Sequence, residues 1–243
     1  MEKNNEAENY AVIDYMGSWN IGAYIVLTNK FCLVGEGFRP QILENIRKVT
    51  GVPLLIQRIY EEDLVGCFVA ANSYGVILPT QTLEVELISI KKFLGNAYIV
   101  EKLELRGTHN NAFGNILLLN DKKAVMHMNL YERNKKVVER IEDILDVEVI
   151  PFRTNLTEAL GSYALVNAHG LVVSPLFNSE EIEELRKIFG TPKENTIIST
   201  INMGNPIVRS GAVANDNALL VGNRTSGIEI ARIYNALIGR QKP

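Results

Sequence analysis

The chain reads as an α/β protein, a five-fold pseudosymmetric closed ring of ββα-type repeats, and three observations predict it. Five times an apolar stretch that starts at an anchor residue meets a short polar turn, continues as a second apolar stretch and passes into an amphipathic segment. The anchors Gly22, Gly66, Gly114, Gly161 and Arg209 are 44, 48, 47 and 48 residues apart. A period of that length means one supersecondary unit per copy, each unable to bury its apolar face alone. The fifth copy stays apolar to within a few residues of the C-terminus, whereas a linear solenoid needs polar caps at both ends. Closure leaves only short, protected strand edges, and the helix in every copy argues against an all-β propeller of similar period.

The paired strands come in order as 22–34 turning at Thr28, 66–79 at Asn72, 114–127 at Asn120, 161–175 at Asn167 and 209–222 at Asn215. Asn, Ser, Asp and Gly crowd these turns because they tolerate positive φ and bond their own backbone, which folds two strands into a hairpin. Helix-period segments follow: Ile42, Ile46, Val49; Leu83, Leu87, Ile90, Leu94; Val137, Ile141, Ile144; Ile182, Leu185, Phe189; and Ile230, Ile233, Leu237. In the fourth, Asn178 or Ser179 offers an N-cap, Glu180 and Glu181 suit the first turn, and Gly190 stands where the helix should stop. The repeats run approximately 10–53, 54–98, 99–148, 149–194 and 195–239, forming one domain between polar, aperiodic ends at 1–9 and 240–243.

The 243 residues are 47% apolar with a net charge of −3. No stretch approaches the length of a membrane span and no signal-peptide pattern opens the chain, so a cytoplasmic monomer without membrane contact is expected. The charge argues against an autonomous nucleic-acid binder, since phosphate contacts need Lys and Arg in excess on one face. The basic run Lys122, Lys123, Arg133, Lys135, Lys136 is a solvated helix face or a local RNA contact. Cys32 and Cys67 fall in strands of different repeats and read as small buried hydrophobes in a reducing compartment. Asn155-Leu156-Thr157 and Asn223-Arg224-Thr225 match the glycosylation pattern by chance in a chain with no secretory route.

The motifs of nucleotide and zinc chemistry (phosphate loop, HExxH, CxxC) do not occur, and His109, His127 and His169 are scattered over three repeats, so no cofactor and no metal are expected. Rings of five such blades also serve guanidine-modifying enzymes, the amidinotransferases and deiminases, whose chemistry needs a nucleophilic Cys with a His and carboxylates converging on the axis. Those enzymes carry the Cys near the C-terminus. Here the last two repeats have none, and Cys32 and Cys67 sit among packed strand residues, so catalysis is not expected.

Several segments together carry a family resemblance: Ala112-Phe113-Gly114-Asn115 leading to Asn120-Asp121, Leu160-Gly161-Ser162-Tyr163, the run 170–175, Thr200-Ile201-Asn202-Met203-Gly204, and Val213-Ala214-Asn215-Asp216 followed by the run 222–229. From about Tyr10 to Gly239 the chain resembles translation initiation factor 6, the anti-association factor shared by archaea and eukaryotes. The resemblance implies the five-bladed ring called the pentein, or α/β propeller. It implies no catalysis, but binding to the intersubunit face of the large (50S) ribosomal subunit, mainly to a ribosomal protein near the sarcin–ricin loop with local rRNA contact, which blocks the small subunit sterically. Two departures stand out: Arg209 where the family has Gly, and Thr225-Ser226-Gly227-Ile228-Glu229 where Thr-Thr-Gly-Pro-Glu is usual.

In a closed ring the loops entering the inner strands gather on one face near the axis. Here they are polar and amide-rich, and they nominate Trp19, Asn20, Asn110, Asn111, Asn202, Asn205 and Arg209 as contacts. The resemblance adds Asn115, at the family's Gly-Asn strand start. Trp19 is either an exposed anchor or a buried plug at the ring's end. Arg209 either offers its charge to RNA or an acidic partner, or pairs across the ring with Glu61, Glu62 or Asp63.

Overall fold

The computed structural model describes residues 9–107 and 111–239. The tails 1–8 and 240–243, with His109 and Asn110, lie outside the described residues.

The chain forms five three-stranded sheets. In each blade the inner strand pairs antiparallel with the middle strand across the expected turn, as Ile25–Leu27 does with Cys32–Val34 and Ala164–Val166 with Leu171–Val173. A helix then returns the chain, and a third strand pairs parallel with the middle one: Leu54–Ile56 in blade 1, Ile99–Leu103 in blade 2, Glu148–Phe152 in blade 3 and Thr196–Ile198 in blade 4. The repeat is therefore ββαβ rather than ββα. The outer strands escape the hydrophobic pattern because several are only three residues long and half-exposed. Blade 5 takes its third strand from the other end of the chain, where Tyr10–Ile13 pairs parallel with Leu219–Gly222. That strand closes the ring.

The five return helices are Pro40–Thr50, Glu84–Leu94, Lys135–Leu145, Ser179–Phe189 and Gly227–Leu237. A short helix, Met128–Arg133, precedes the third. In the fourth, Asn178 caps the amides of Glu180 and Glu181, and Gly190 ends the helix at φ 66°, where a residue without Cβ is favoured.

Core packing makes closure visible. The buried apolar residues form five clusters, and each spans two adjacent blades. Val26 and Leu33 of blade 1 meet Val69 and Val76 of blade 2, while Ile13 and Leu220 of blade 5 meet Ile25 and Ile46 of blade 1. Five seams for five blades is the count for a ring, since a linear stack would have four. Each sheet buries its faces against its neighbours, so the core belongs to the ring and to no single blade.

The anchors differ from expectation in one respect. They do not begin strands; each is the second residue of a single helical turn, in Ile21–Ala23, Val65–Phe68, Phe113–Ile116, Leu160–Tyr163 and Val208–Gly211. These turns crowd the axis. A Cβ on Gly66 would stand 2.1 Å from the Gly22 carbonyl oxygen, and one on Gly114 2.2 Å from that of Gly66. Arg209 holds the equivalent place in blade 5, and its carbonyl presses on Gly22 across the closing seam.

The helices run from the anchor end of the ring to the turn end, and the outer strands run back. Entry loops and helix N-termini therefore share the anchor end. This topology splits the basic run. Lys122 and Lys123 lie at the turn end, and Arg133, Lys135 and Lys136 at the anchor end, separated by the strand Lys123–His127. They form no single patch. Among the described residues no helix is long and apolar enough to cross a membrane.

Candidate binding face at the ring axis

The residues one step past each anchor, Ala23, Cys67, Asn115, Ser162 and Ser210, surround the axis at the anchor end and line a cavity of about 180 Å³ together with Gly22, Ile207 and Arg209. Burial pushes the Cys67 thiol up, opposed by the Arg209 charge and the Asn115 hydrogen bond, and burial pushes Cys32 up to about 12. Neither is a thiolate at neutral pH, and a thiolate is what nucleophilic chemistry would need.

Arg209 turns inward. Its Nη1 donates to the carbonyl oxygens of Gly66 at 2.8 Å and Gly114 at 3.2 Å. The carboxylates of Glu61, Glu62 and Asp63 are not its partners: Asp63 accepts from Tyr15 at 2.5 Å and from the Glu36 amide at 3.0 Å. Of the two readings of Arg209, the salt bridge across the ring is not formed; the guanidinium instead bridges the anchor turns of blades 2 and 3. The physical reason is local. The Gly66 and Gly114 carbonyls face the axis there, within reach of a long side chain at the anchor position of blade 5.

At the turn end the axis is sealed by polar bonds. The Asn29 amide donates to Asp121 at 2.9 Å and Asp216 at 2.8 Å, while Ser73 and Ala168 donate to the same two carboxylates. Buried Asn167 and Asn215 reach the next blade's backbone through 2.9 and 3.0 Å bonds to Asn215 O and Thr28 O. The turn asparagines thus tie blade to blade as well as shaping their own turns.

The entry loops are pinned in unusual backbone. Met16, Tyr60, Glu61, Asn202 and Met203 all have φ between 49° and 63°, a region non-glycine residues seldom occupy. Carboxylates hold them there. Glu86, at the start of its helix, accepts from the amides of Tyr60 and Glu61 at 2.8 and 3.0 Å. Glu229 does the same for Met203 and Gly204 at 3.1 and 3.0 Å, and Asp14 takes the Gly17 amide at 2.7 Å. The strain lifts apolar side chains into solvent: Met16 is 76% exposed, Tyr60 53% and Met203 76%. Val85 and Ile228, beside the two clamping glutamates, are 70% and 76% exposed.

The nominated residues separate accordingly. Asn115 lines the mouth. Trp19 is neither free anchor nor plug; it is half-buried with the Arg224 guanidinium 3.8 Å over its ring. Asn20 is half-buried beside it, and Asn205 accepts from the Ile207 amide at 2.9 Å while reaching Ser210 at the mouth. Asn111 and Asn202 are buried. Asn111 accepts from the Leu105 amide at 2.6 Å; Asn202 donates to the Trp19 carbonyl at 3.1 Å and accepts from Thr225. Both shape loops from within. Their exposure was expected from polarity, but a buried loop backbone recruits an amide side chain for its own unpaired groups. Reading the loops for polar residues also passed over Met16, Tyr60 and Met203; the signal for them is an apolar side chain inside a Gly, Glu or Asn turn.

The sequence profile of the eIF-6 family matches residues 10–236. "Translation initiation factor 6" of Thermococcus onnurineus is 35% identical over 225 residues, covering 93% of this chain and 96% of the relative. The factor of the same name from Saccharolobus islandicus is 32% identical over 231 residues, covering 94% and 99%. "Eukaryotic translation initiation factor 6" of Encephalitozoon cuniculi is 31% identical over 223 residues, covering 91% and 88%. Among solved structures, the N-terminal domain of ArgZ, an arginine dihydrolase from the cyanobacterial ornithine–ammonia cycle, superposes with a TM-score of 0.53 at 14% identity, over 82% of this chain and 75% of that one. That likeness bears on the fold alone, and it agrees with a pentein ring. With a five-bladed ring closed by its own N-terminal strand and relatives matched over nearly their full length, this chain belongs to the eIF-6 family.

Proposed function

We propose that this protein binds the intersubunit face of the large ribosomal subunit through the anchor end of its ring, and by its bulk keeps the small subunit from joining. It acts in the cytoplasm as a monomer, in initiation and large-subunit maturation, and performs no catalysis. The observation that carries the reading is the concentration of exposed apolar side chains on that end, Met16, Tyr60, Val85, Met203 and Ile228, around a mouth that includes Asn115. Exposed apolar side chains gathered on one face mark a contact surface, and clamped loops lose little conformational freedom on binding. Membership of a family of translation initiation factors supports looking for the partner on the ribosome, and the partner proposed is a ribosomal protein near the sarcin–ricin loop, with local rRNA contact. Trp19, Asn20 and Asn205 lie at the same end and belong to this proposed surface; Asn111 and Asn202 support it from beneath.

Co-sedimentation with separated ribosomal subunits, followed by a subunit-joining assay, tests the proposal. Stoichiometric binding to large subunits alone, joining blocked, and weaker binding by Asn115→Ala and by Met203→Glu are the expected results. No binding at low or moderate salt overturns it.

A further inference from the structure

Arg209 brings a positive charge into the ring without a matching negative one. Among the described residues no carboxylate lies within ion-pair distance of it. The two aspartates of the axis, Asp121 and Asp216, line the opposite end and are engaged there by Asn29, Ser73 and Ala168. A guanidinium has five N–H donors. Its two partners, the Gly66 and Gly114 carbonyls, both take Nη1, which leaves Nε and both protons of Nη2. Among the described residues the buried polar side-chain atoms without a partner are those of Asn20, Thr82 and Asn195, and Arg209 is not one of them. Arg209 lines two cavities, one of about 70 Å³ on the side of the inner strands and one of about 180 Å³ at the mouth.

The mouth cavity suits an anion in size and in chemistry. A single water needs about 10–15 Å³ of such space, so a ligand of a few heavy atoms fits. Its wall carries the Ser162 hydroxyl and the Asn115 amide, both able to donate, the Ser210 hydroxyl, whose proton goes to the Ile207 carbonyl at 2.7 Å, and the Cys67 thiol, which burial keeps protonated and so uncharged. A buried cation that keeps only dipoles for company is costly, and an oxyanion in a bidentate arrangement offsets that cost. We propose that the axial mouth formed by Arg209, Cys67, Asn115, Ser162 and Ser210 is a binding site for a small oxyanion, a carboxylate or a phosphate.

The site does not rest on the ribosomal reading, and its test is separate. The intact protein is melted over a concentration series of inorganic phosphate, and separately of formate, at ionic strength held constant with a bulky organic salt. A saturable rise in melting temperature of a few degrees is expected once ligand exceeds its Kd tenfold. Arg209→Gly, which restores the residue of the other four anchors, should melt independently of either anion, and Arg209→Lys should need at least tenfold more. Should Arg209→Gly fold poorly, Ser162→Leu, which fills the mouth and leaves the charge, takes its place. A native melting curve indifferent to both anions, or an equal response from native protein and variant, overturns the proposal. The source of the oxyanion follows from repeating the large-subunit co-sedimentation at saturating phosphate: competition assigns the site to an acidic side chain of the partner, and its absence to a free anion.

Discussion

Glu229→Gln tests whether one carboxylate holds both a helix start and an entry loop. Glu229 accepts from Thr200 Oγ1 at 2.7 Å, Met203 N at 3.1 Å, Gly204 N at 3.0 Å and Ser226 N at 2.8 Å. Burial alone would raise its pKa; the hydrogen bonds from Ser226, Thr200 and Gly204 outweigh burial and hold the carboxyl down at about 2. At about 1.4 kcal/mol for each tenfold change in proton affinity, that drop from an ordinary glutamate is worth about 3 kcal/mol. Contact with solvent trims this to roughly 2 kcal/mol. Glutamine keeps the shape but turns one acceptor into a donor aimed at other donors, so the variant should melt about 4–8 °C lower at pH 7. The sign follows from the depressed pKa: the stabilisation is complete above the pKa of an unfolded glutamate and is lost as pH falls toward 2. Calorimetry of native protein and variant should therefore show a constant gap from pH 8 to about 5, shrinking to about half by pH 3. A gap that does not change with pH, or no gap at pH 7, would refute the reasoning.

Gly114→Ala puts a methyl group 2.2 Å from the Gly66 carbonyl and 2.7 Å from that of Val69; since backbone cannot step aside cheaply, a loss beyond about 4 kcal/mol is expected in urea unfolding, and a near-neutral effect would mean the anchor turns are not in contact. Removing the chain through Ile13 strips the third strand from blade 5, and the product should lose its cooperative melt and bind a hydrophobic dye, whereas an unchanged melt would show that the ring closes without it. Both cysteines of the native protein should react slowly with a thiol reagent at pH 7.5 and rapidly in denaturant, because burial raises both thiols; fast native labelling of Cys67 would reveal a thiolate and reopen the nucleophilic reading.

Much of the fold was legible because local rules write it. The repeat period, the turn residues and the apolar faces of the five helices are near-neighbour patterns, and Asn178 and Gly190 announced the ends of the fourth helix through capping chemistry alone. Arg209 could even be aligned with the glycines by spacing. The outer strands were hidden, since a three-residue strand such as Leu54–Ile56 has too little pattern to declare itself and is a strand only because its neighbour offers a ladder. The candidate site was legible as a set of loops but not as a surface. Asn111 and Asn202 look in sequence like Asn20 and Asn205, yet the first two are buried, because which amide turns inward depends on which backbone groups the neighbouring blade leaves unpaired. Composition alone marks Met16, Tyr60 and Met203 for a core, and the Glu86 and Glu229 clamps with left-handed backbone put Tyr60 and Met203 in solvent. Sequence by itself determined the number of blades and their order. Closure decided the pairing of Tyr10–Ile13 with Leu219–Gly222 and the inward turn of Arg209, because both are contacts between blades, and such contacts exist only once the ring has joined segments that lie far apart in the chain.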